Sequence, residues 1–226
     1  MVKKAQSSPR REESLSRDRI IEASIELLDS SGEGGLTFRT LTEKLATGPG
    51  AIYWHVANKS DLLIAACDAI VARTLDACAV GATPQATIRA LALGMFDAID
   101  AHPWVGSALA RAPGQLPTVR ILERIGQQVR ALGVPHEEQF AAACALLNYI
   151  LGVGKQNAAN TQLARTRGFD RPDFLDSVAT AWSQLDAAEY PFARSVAGQL
   201  RAHDDRVDFL VAIDLILSGL ESPRRG

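Results

Sequence analysis

The sequence predicts an all-α fold, and three observations carry that prediction. Thirty-six of the 226 residues are alanine, the residue that loses least on entering a helix. Runs of β-branched residues are few, and no segment alternates apolar and polar side chains as a half-buried strand would. With 47% hydrophobic residues, a chain of this length buries about 70% of its unfolded surface and needs no covalent staples.

The elements follow in order. Residues 1–13 hold nothing to bury, so a flexible basic arm is expected over 1–15. Ser14 or Ser16 caps a first helix with Ile20, Ile21, the small Ser24, Leu27 and Leu28 on one face, stopped by Gly32-Glu33-Gly34-Gly35. Thr37 caps a short second helix presenting Phe38, Leu41 and Leu45, while Leu36 and Leu41 occupy the two positions of a hydrophobic staple. Thr47-Gly48-Pro49-Gly50 is a tight turn, with Pro49 where a first helical position tolerates proline. One or two helical turns then reach Val56, with Ile52 and Val56 inward. Asn58-Lys59-Ser60-Asp61 opens a long helix from Leu62 to near Val80, with Leu63, Cys67, Ile70, Val71 and Leu75 on its apolar side.

Breaks at Gly81-Ala82-Thr83-Pro84, His102-Pro103, Ala112-Pro113-Gly114, Gly133-Val134-Pro135, Arg167-Gly168 and Tyr190-Pro191 delimit further helices. These are expected near 84–101, 103–112, 117–132, 136–164, 173–188, 191–202 and 205–220. Three regions result: the arm over 1–15, a helix-turn-helix domain over 16–60, and a helical domain over 61–226.

Charge and cysteines narrow the functional classes. The three cysteines, Cys67, Cys78 and Cys144, have neither metal-ligand nor redox spacing, so a reducing, cytoplasmic setting is expected. The start of the chain lacks the apolar core of a secretory signal. The apolar stretches 141–147 and 209–217, the latter broken by Asp214, are too short to span a bilayer, so no membrane partner is expected. The net charge of −2 does not point to nucleic acid, although residues 1–19 hold six basic against three acidic side chains. No enzyme is expected either. The histidines at 55, 102, 136 and 203 are scattered, Glu137-Glu138 and Asp204-Asp205 are adjacent residues pointing to different sides of a helix, and Gly152-Val153-Gly154-Lys155 lacks the spacing and preceding strand of a phosphate loop.

The first sixty residues carry the specific signal. Three helices, the last two joined by a tight turn, outline a helix-turn-helix. Leu36-Thr37-Phe38-Arg39-Thr40-Leu41-Thr42-Glu43-Lys44-Leu45 is followed by Ala51-Ile52-Tyr53-Trp54-His55-Val56-Ala57-Asn58-Lys59-Ser60-Asp61-Leu62-Leu63. Over about 16–64 this resembles the DNA-binding domain of the tetracycline-repressor (TetR) family: a Tyr ends the reading helix, a His follows two residues on, and an Asn-Lys pair opens the fourth helix. Tyr-Trp-His-Val is especially similar to the tetracycline repressor's own branch.

The resemblance implies a double-stranded operator as partner and gives each residue a task. Arg39 would offer a bidentate fork to guanine; its alternative is a solvated surface arginine. Of Tyr53 and Trp54, at least one must point outward, since Ile52 and Val56 already serve the inner face, and core packing is the alternative for Trp54. His55 and Lys59 suit phosphate oxygens, as do the hydroxyls of Thr37 and Thr40, although Thr37 also has a helix to cap. Pro49, Gly50 and Ala51 allow close backbone approach but little direct readout.

Beyond residue 61 the resemblance lies only in helix pattern, and it implies an effector-binding and dimerising domain. Homodimer contacts are expected from Phe140, Cys144, Leu147 and Leu151, beside the small Ala141, Ala145 and Gly152. The last helix is apolar on two sides, with Val207, Leu210, Asp214 and Leu217 on one and Phe209, Ile213, Ile216 and Leu220 on the other, so it needs two partners. A small-molecule pocket would draw on Phe96, Trp104, Leu109 and Tyr149, with Phe174 and Trp182 further on; most of these would serve equally as plain core. The polar anchors on offer are His102, Asn148, Gln156 and Asn157. The family's namesake holds a magnesium chelate through a histidine on helix six and an acidic residue on helix eight. Leu109 and Gln156 stand nearest those places, with His102 at the start of helix six, so a largely apolar organic effector is expected, with no metal and no cofactor.

Overall fold

A computed structural model describes residues 15–111, 114–168 and 170–221, except the side chains of residues 164, 165 and 167. Apart from Leu15, the expected arm therefore lies outside the described residues. Among those described, all regular structure is helical: α1 (Arg17–Gly35), α2 (Phe38–Leu45), α3 (Pro49–Tyr53), α4 (Lys59–Ala77), α5 (Pro84–Ala101), α6 (Pro103–Arg111), α7 (Leu116–Ala131), α8 (His136–Arg167), α9 (Arg171–Ser183), α10 (Pro191–Val196), a 3-10 helix (Ala197–Ala202) and α11 (Asp205–Glu221). The chain forms two compact units divided between Ala66 and Cys67, within α4.

In the first unit, Ser16 caps α1 by accepting the Arg19 amide at 3.2 Å. Ser24 is buried without penalty because its hydroxyl donates to the Ile20 carbonyl at 2.7 Å. The helix is interrupted where Gly32 takes φ of 62°, a left-handed value that glycine adopts without steric cost. Thr37 then starts α2 with a reciprocal cap: its hydroxyl accepts the Thr40 amide, and the Thr40 hydroxyl accepts the Thr37 amide, each at 3.1 Å. Leu36 and Leu41, the staple pair, are both 0% exposed. Ile52 and Val56 join them in the core with Ile20, Leu28 and Leu62. Glu26 on α1 pairs with Lys44 on α2 at 2.5 Å. Asn58 caps α4 by accepting the Asp61 amide at 2.9 Å.

In the second unit α5 and α8 pack along each other, α6 and α7 lie against both, and α11 also packs on α5 and α8. Ile88, Leu91, Met95 and Ile99 of α5 meet Leu146 and Ile150 of α8 in a core from which water is excluded. Gly154 marks the closest approach: a Cβ there would sit 2.9 Å from Ile99 Cδ1. The Gly152-Val153-Gly154-Lys155 stretch is thus mid-helix packing. On α11, Phe209, Ile213 and Leu217 face inward, and Arg89 grips both oxygens of Asp214 at 2.7 Å, while Arg206 pairs with Asp97. Around them α9, α10 and the 3-10 helix form a smaller packed group, tied by Arg201 to Asp176 at 2.7 Å.

The structure corrects two helix ends. Expected to run to 188, α9 stops at Ser183, because the Asp186 side chain accepts the Ala188 and Glu189 amides at 2.9 and 3.0 Å and makes a turn instead. The expected 191–202 helix divides, its second half tightening to 3-10 geometry.

Candidate functional site

Most of the proposed reading residues of the first unit stand outward on α2, on α3 and at the start of α4. The Arg39 side chain is 87% exposed at the second position of α2, and its Nε donates to Glu43 Oε1 at 2.9 Å. That hydrogen bond, with the carboxylate's charge, raises the Arg39 pKa. Tyr53 ends α3 with 54% of its surface exposed and its ring stacked on Phe38, centroids 4.5 Å apart. Trp54 is 90% exposed, which overturns the core alternative. The reason is local: Ile52 and Val56, at 0% and 5%, already fill the inner side of this short turn.

His55 is exposed, and Lys59 donates from Nζ to the Glu33 carbonyl at 2.5 Å. Pro49 and Gly50 are exposed and Ala51 half-buried. A Cβ added at Gly48 or Gly50 would meet nothing within 4 Å, so backbone can approach a partner closely there. Thr37 is exposed, but its hydroxyl accepts the Thr40 amide. Thr40 corrects an expectation: its hydroxyl donates to the Gly35 carbonyl at 2.7 Å, which commits the proton meant for a phosphate. Glu43 and Phe38 join the site as well, through their contacts with Arg39 and Tyr53. The four-residue spacing of Glu43 from Arg39 was a readable signal, but nothing local announced the Phe38–Tyr53 stack.

The second unit sorts its candidates differently. Phe96, Trp104 and Leu109 are 3%, 6% and 2% exposed and belong to the packed interior. Phe209 lies between Phe96 and Tyr149, with centroids 4.8 and 5.5 Å away, and burial raises the Tyr149 phenol's pKa, helped by the charge of Asp208. Asn157 is buried and donates to Asp100 at 2.9 Å. Asn148 and Gln156, expected as anchors, are instead exposed, Asn148 because it lies on the side of α8 opposite Leu146 and Ile150. Phe174 is half-buried and Trp182 exposed, both on α9. An open groove of about 660 Å³ runs between α4 and α5 on the side of α5 away from the core. Its walls include Ile70, Ala77, Ala90 and Leu93, and Arg73, Asp97 and His102 supply its polar groups. Of the expected pocket residues it gathers only His102.

The expected dimer rows also need correction. On α8, Phe140 is 72% exposed and Cys144 and Leu151 are half-buried, but Leu147 is 6% exposed and turned inward. The open side of α8 is instead the small row Ala141, Ala145 and Gly152, with Asn148. On α11, Leu217 is buried at 4%, Leu210 is half-buried and Asp214 is engaged by Arg89. The outward row is Val207, Val211 and Leu215, exposed by 57%, 53% and 69%. On α11 the expected row of Val207, Leu210, Asp214 and Leu217 advances by 3-4-3 residues, which drifts around a helix of 3.6 residues per turn and has reached the core ten residues on.

Known proteins match both units. The family model for bacterial regulatory proteins of the tetR family matches residues 20–66, and the tetracyclin repressor-like C-terminal domain matches residues 80–223. A solved TetR-type transcriptional regulator from Streptomyces coelicolor is 52% identical, with 92% of this chain and 98% of that one covered and a TM-score of 0.82. An HTH-type transcriptional regulator from Saccharopolyspora erythraea is 27% identical over 209 residues, 92% of this chain and 87% of its own. The tetracycline repressor protein class D of Escherichia coli is 45% identical over 62 residues, 27% of this chain and 28% of its own. Among the described residues no helix is long and apolar enough to cross a membrane.

Proposed function

The chain belongs to the TetR family of bacterial transcriptional regulators, and from that premise we propose that it is a homodimeric repressor released from an inverted-repeat operator by a small, largely apolar organic molecule. The observation that carries this reading is the adjacent outward pair Tyr53 and Trp54, beside the exposed Arg39 and Lys59. Exposing two neighbouring aromatics to water has no folding benefit, whereas sugars, phosphates and base edges bury them. Arg39 reads guanine, Lys59 and His55 meet phosphates, and the bare Pro49-Gly50 start of α3 lets the backbone come close.

Two reading heads on half-sites about one helical turn (~34–36 Å) apart multiply a discrimination that one small head cannot supply. The pairing surface is the open side of α8 with the Val207, Val211 and Leu215 row of α11, apolar and unburied in a single chain. The effector acts by population shift, favouring a state in which the heads no longer match the half-site spacing, with a coupling of roughly 1–3 kcal/mol. What supports an apolar effector is the groove between α4 and α5, where Ile70, Leu93 and the wall alanines outnumber Arg73, Asp97 and His102.

The test is selection of bound duplexes from a random pool by the purified full-length chain. Recovery of a two-half inverted repeat supports the reading. Failure of a verified dimer, with no small molecule bound, to enrich any sequence would leave a helical protein-interaction module in its place. With the repeat in hand, a candidate effector that leaves operator affinity unchanged at saturation is not the inducer.

A further inference from the structure

Phe38 is the first residue of α2 and Tyr53 the last of α3, yet their rings lie nearly parallel, 16° apart, with centroids at 4.5 Å. Among the described residues Phe38 is the one ring in contact with Tyr53. The helix of Tyr53 has five residues, opening on Pro49 after the cap residue Gly48, and around the missing side chains of Gly48 and Gly50 there is open space. Tyr53 itself is more than half exposed, while Ile52, the buried residue of α3, is turned into the core. An exposed aromatic on so short a helix would otherwise sample several rotamers and lose that freedom on binding.

Phe38, by contrast, stands on a well-fixed base. The residue before it is the α2 cap, Thr37, held reciprocally by Thr40, and the flanking Leu36 and Leu41 are fully buried. Arg39 follows in the same turn. We infer that Phe38 is a positioning residue of the operator surface, holding the Tyr53 ring by one face so that it meets DNA already oriented. The inference rests on the operator-binding reading above. Pre-ordering a contact raises affinity by removing an ordering cost at the moment of binding. It places on the first turn of α2 both the base-reading arginine and the support for the reading helix's aromatic.

The test uses the full-length chain and the selected duplex, with Phe38→Leu and Phe38→Tyr made in the presence of Tyr53 and again with Tyr53→Ala. Leucine keeps apolar bulk but offers no flat face, while tyrosine keeps the face. With Tyr53 present, Phe38→Leu should lower affinity about 5–10-fold and Phe38→Tyr should stay within about 2-fold of the parent; with Tyr53→Ala both should have almost no effect. Melting curves check that each variant is folded. Without DNA, the Tyr53 ring protons of the parent chain should show the upfield NMR shift of a ring stacked on another, lost in Phe38→Leu. Equal losses in both backgrounds, or no loss in either, would overturn the positioning role. Unshifted ring protons beside intact operator binding would remove the stack alone, and failure of the parent chain to bind any duplex would remove the operator reading together with the role that depends on it.

Discussion

Arg39 presents its fork ready-made. Glu43 accepts from Nε at 2.9 Å, leaving the two terminal nitrogens turned to solvent as the bidentate pair that fits guanine O6 and N7. Arg39→Ala should cost ~1–3 kcal/mol at one base pair of each half-site and relax the preference there, measured against a panel of single-base operator variants. Equal losses across that panel would mean that Arg39 meets only phosphate. Lys59→Ala should weaken all sequences alike and lower the salt slope by about one. Cys67 offers a test of packing: burial pushes its thiol up to about 12 from 9.0. The folded thiol keeps its proton where the unfolded one ionises, so this contribution is complete below pH 9 and lost as pH rises from there toward about 12. A thiol reagent at pH 8 should accordingly leave Cys67 unmodified in the native chain and label it after denaturation. Single-residue reading from sequence worked where immediate neighbours decided the matter: Ile52 and Val56 fill the inner side, so at least one of Tyr53 and Trp54 had to point outward, although which of them did was left open. It failed for Thr40, whose hydroxyl is claimed by the Gly35 carbonyl, a partner five residues back that no residue pattern names.

At the scale of elements, caps and breaks were the legible part, because each is set by a few neighbouring residues. Thr83 caps α5 and Pro84 opens it, and the helix runs to Ala101 as the sequence indicated. Thr37→Ala removes the α2 cap while leaving Phe38 and Arg39 in place, and should cost about 0.5–2 kcal/mol in chemical denaturation. What the sequence left open was direction. Both α8 and α11 are apolar around much of their circumference, so periodicity alone does not say which row faces the core; packing against α5 sends Leu147 and Leu217 inward and leaves Val211 and Leu215 out. Val211→Asp with Leu215→Asp should therefore yield a folded monomer, with unchanged helicity by circular dichroism and half the mass by light scattering. Loss of helicity would place this row inside the fold instead. The open groove between α4 and α5 was invisible to the sequence for a related reason, since it is made by the outer face of α5, where Ala90, Gly94 and Ala98 read as filler.

The whole molecule carries a net charge of −2, so attraction to DNA must come from where cations stand and not from how many there are. Family membership was legible over the first sixty residues because DNA chemistry constrains a compact run of side chains. The effector was not, because an apolar site can be lined by the residue types of any core. One titration decides the central claim: the selected inverted repeat with the full-length chain at two salt concentrations, read for affinity and stoichiometry. Two chains per duplex and an affinity falling steeply with salt, as release of counterions from several phosphate contacts requires, are the expected result. One chain per duplex, or an affinity indifferent to salt, would contradict a dimeric regulator that holds its operator through these two heads.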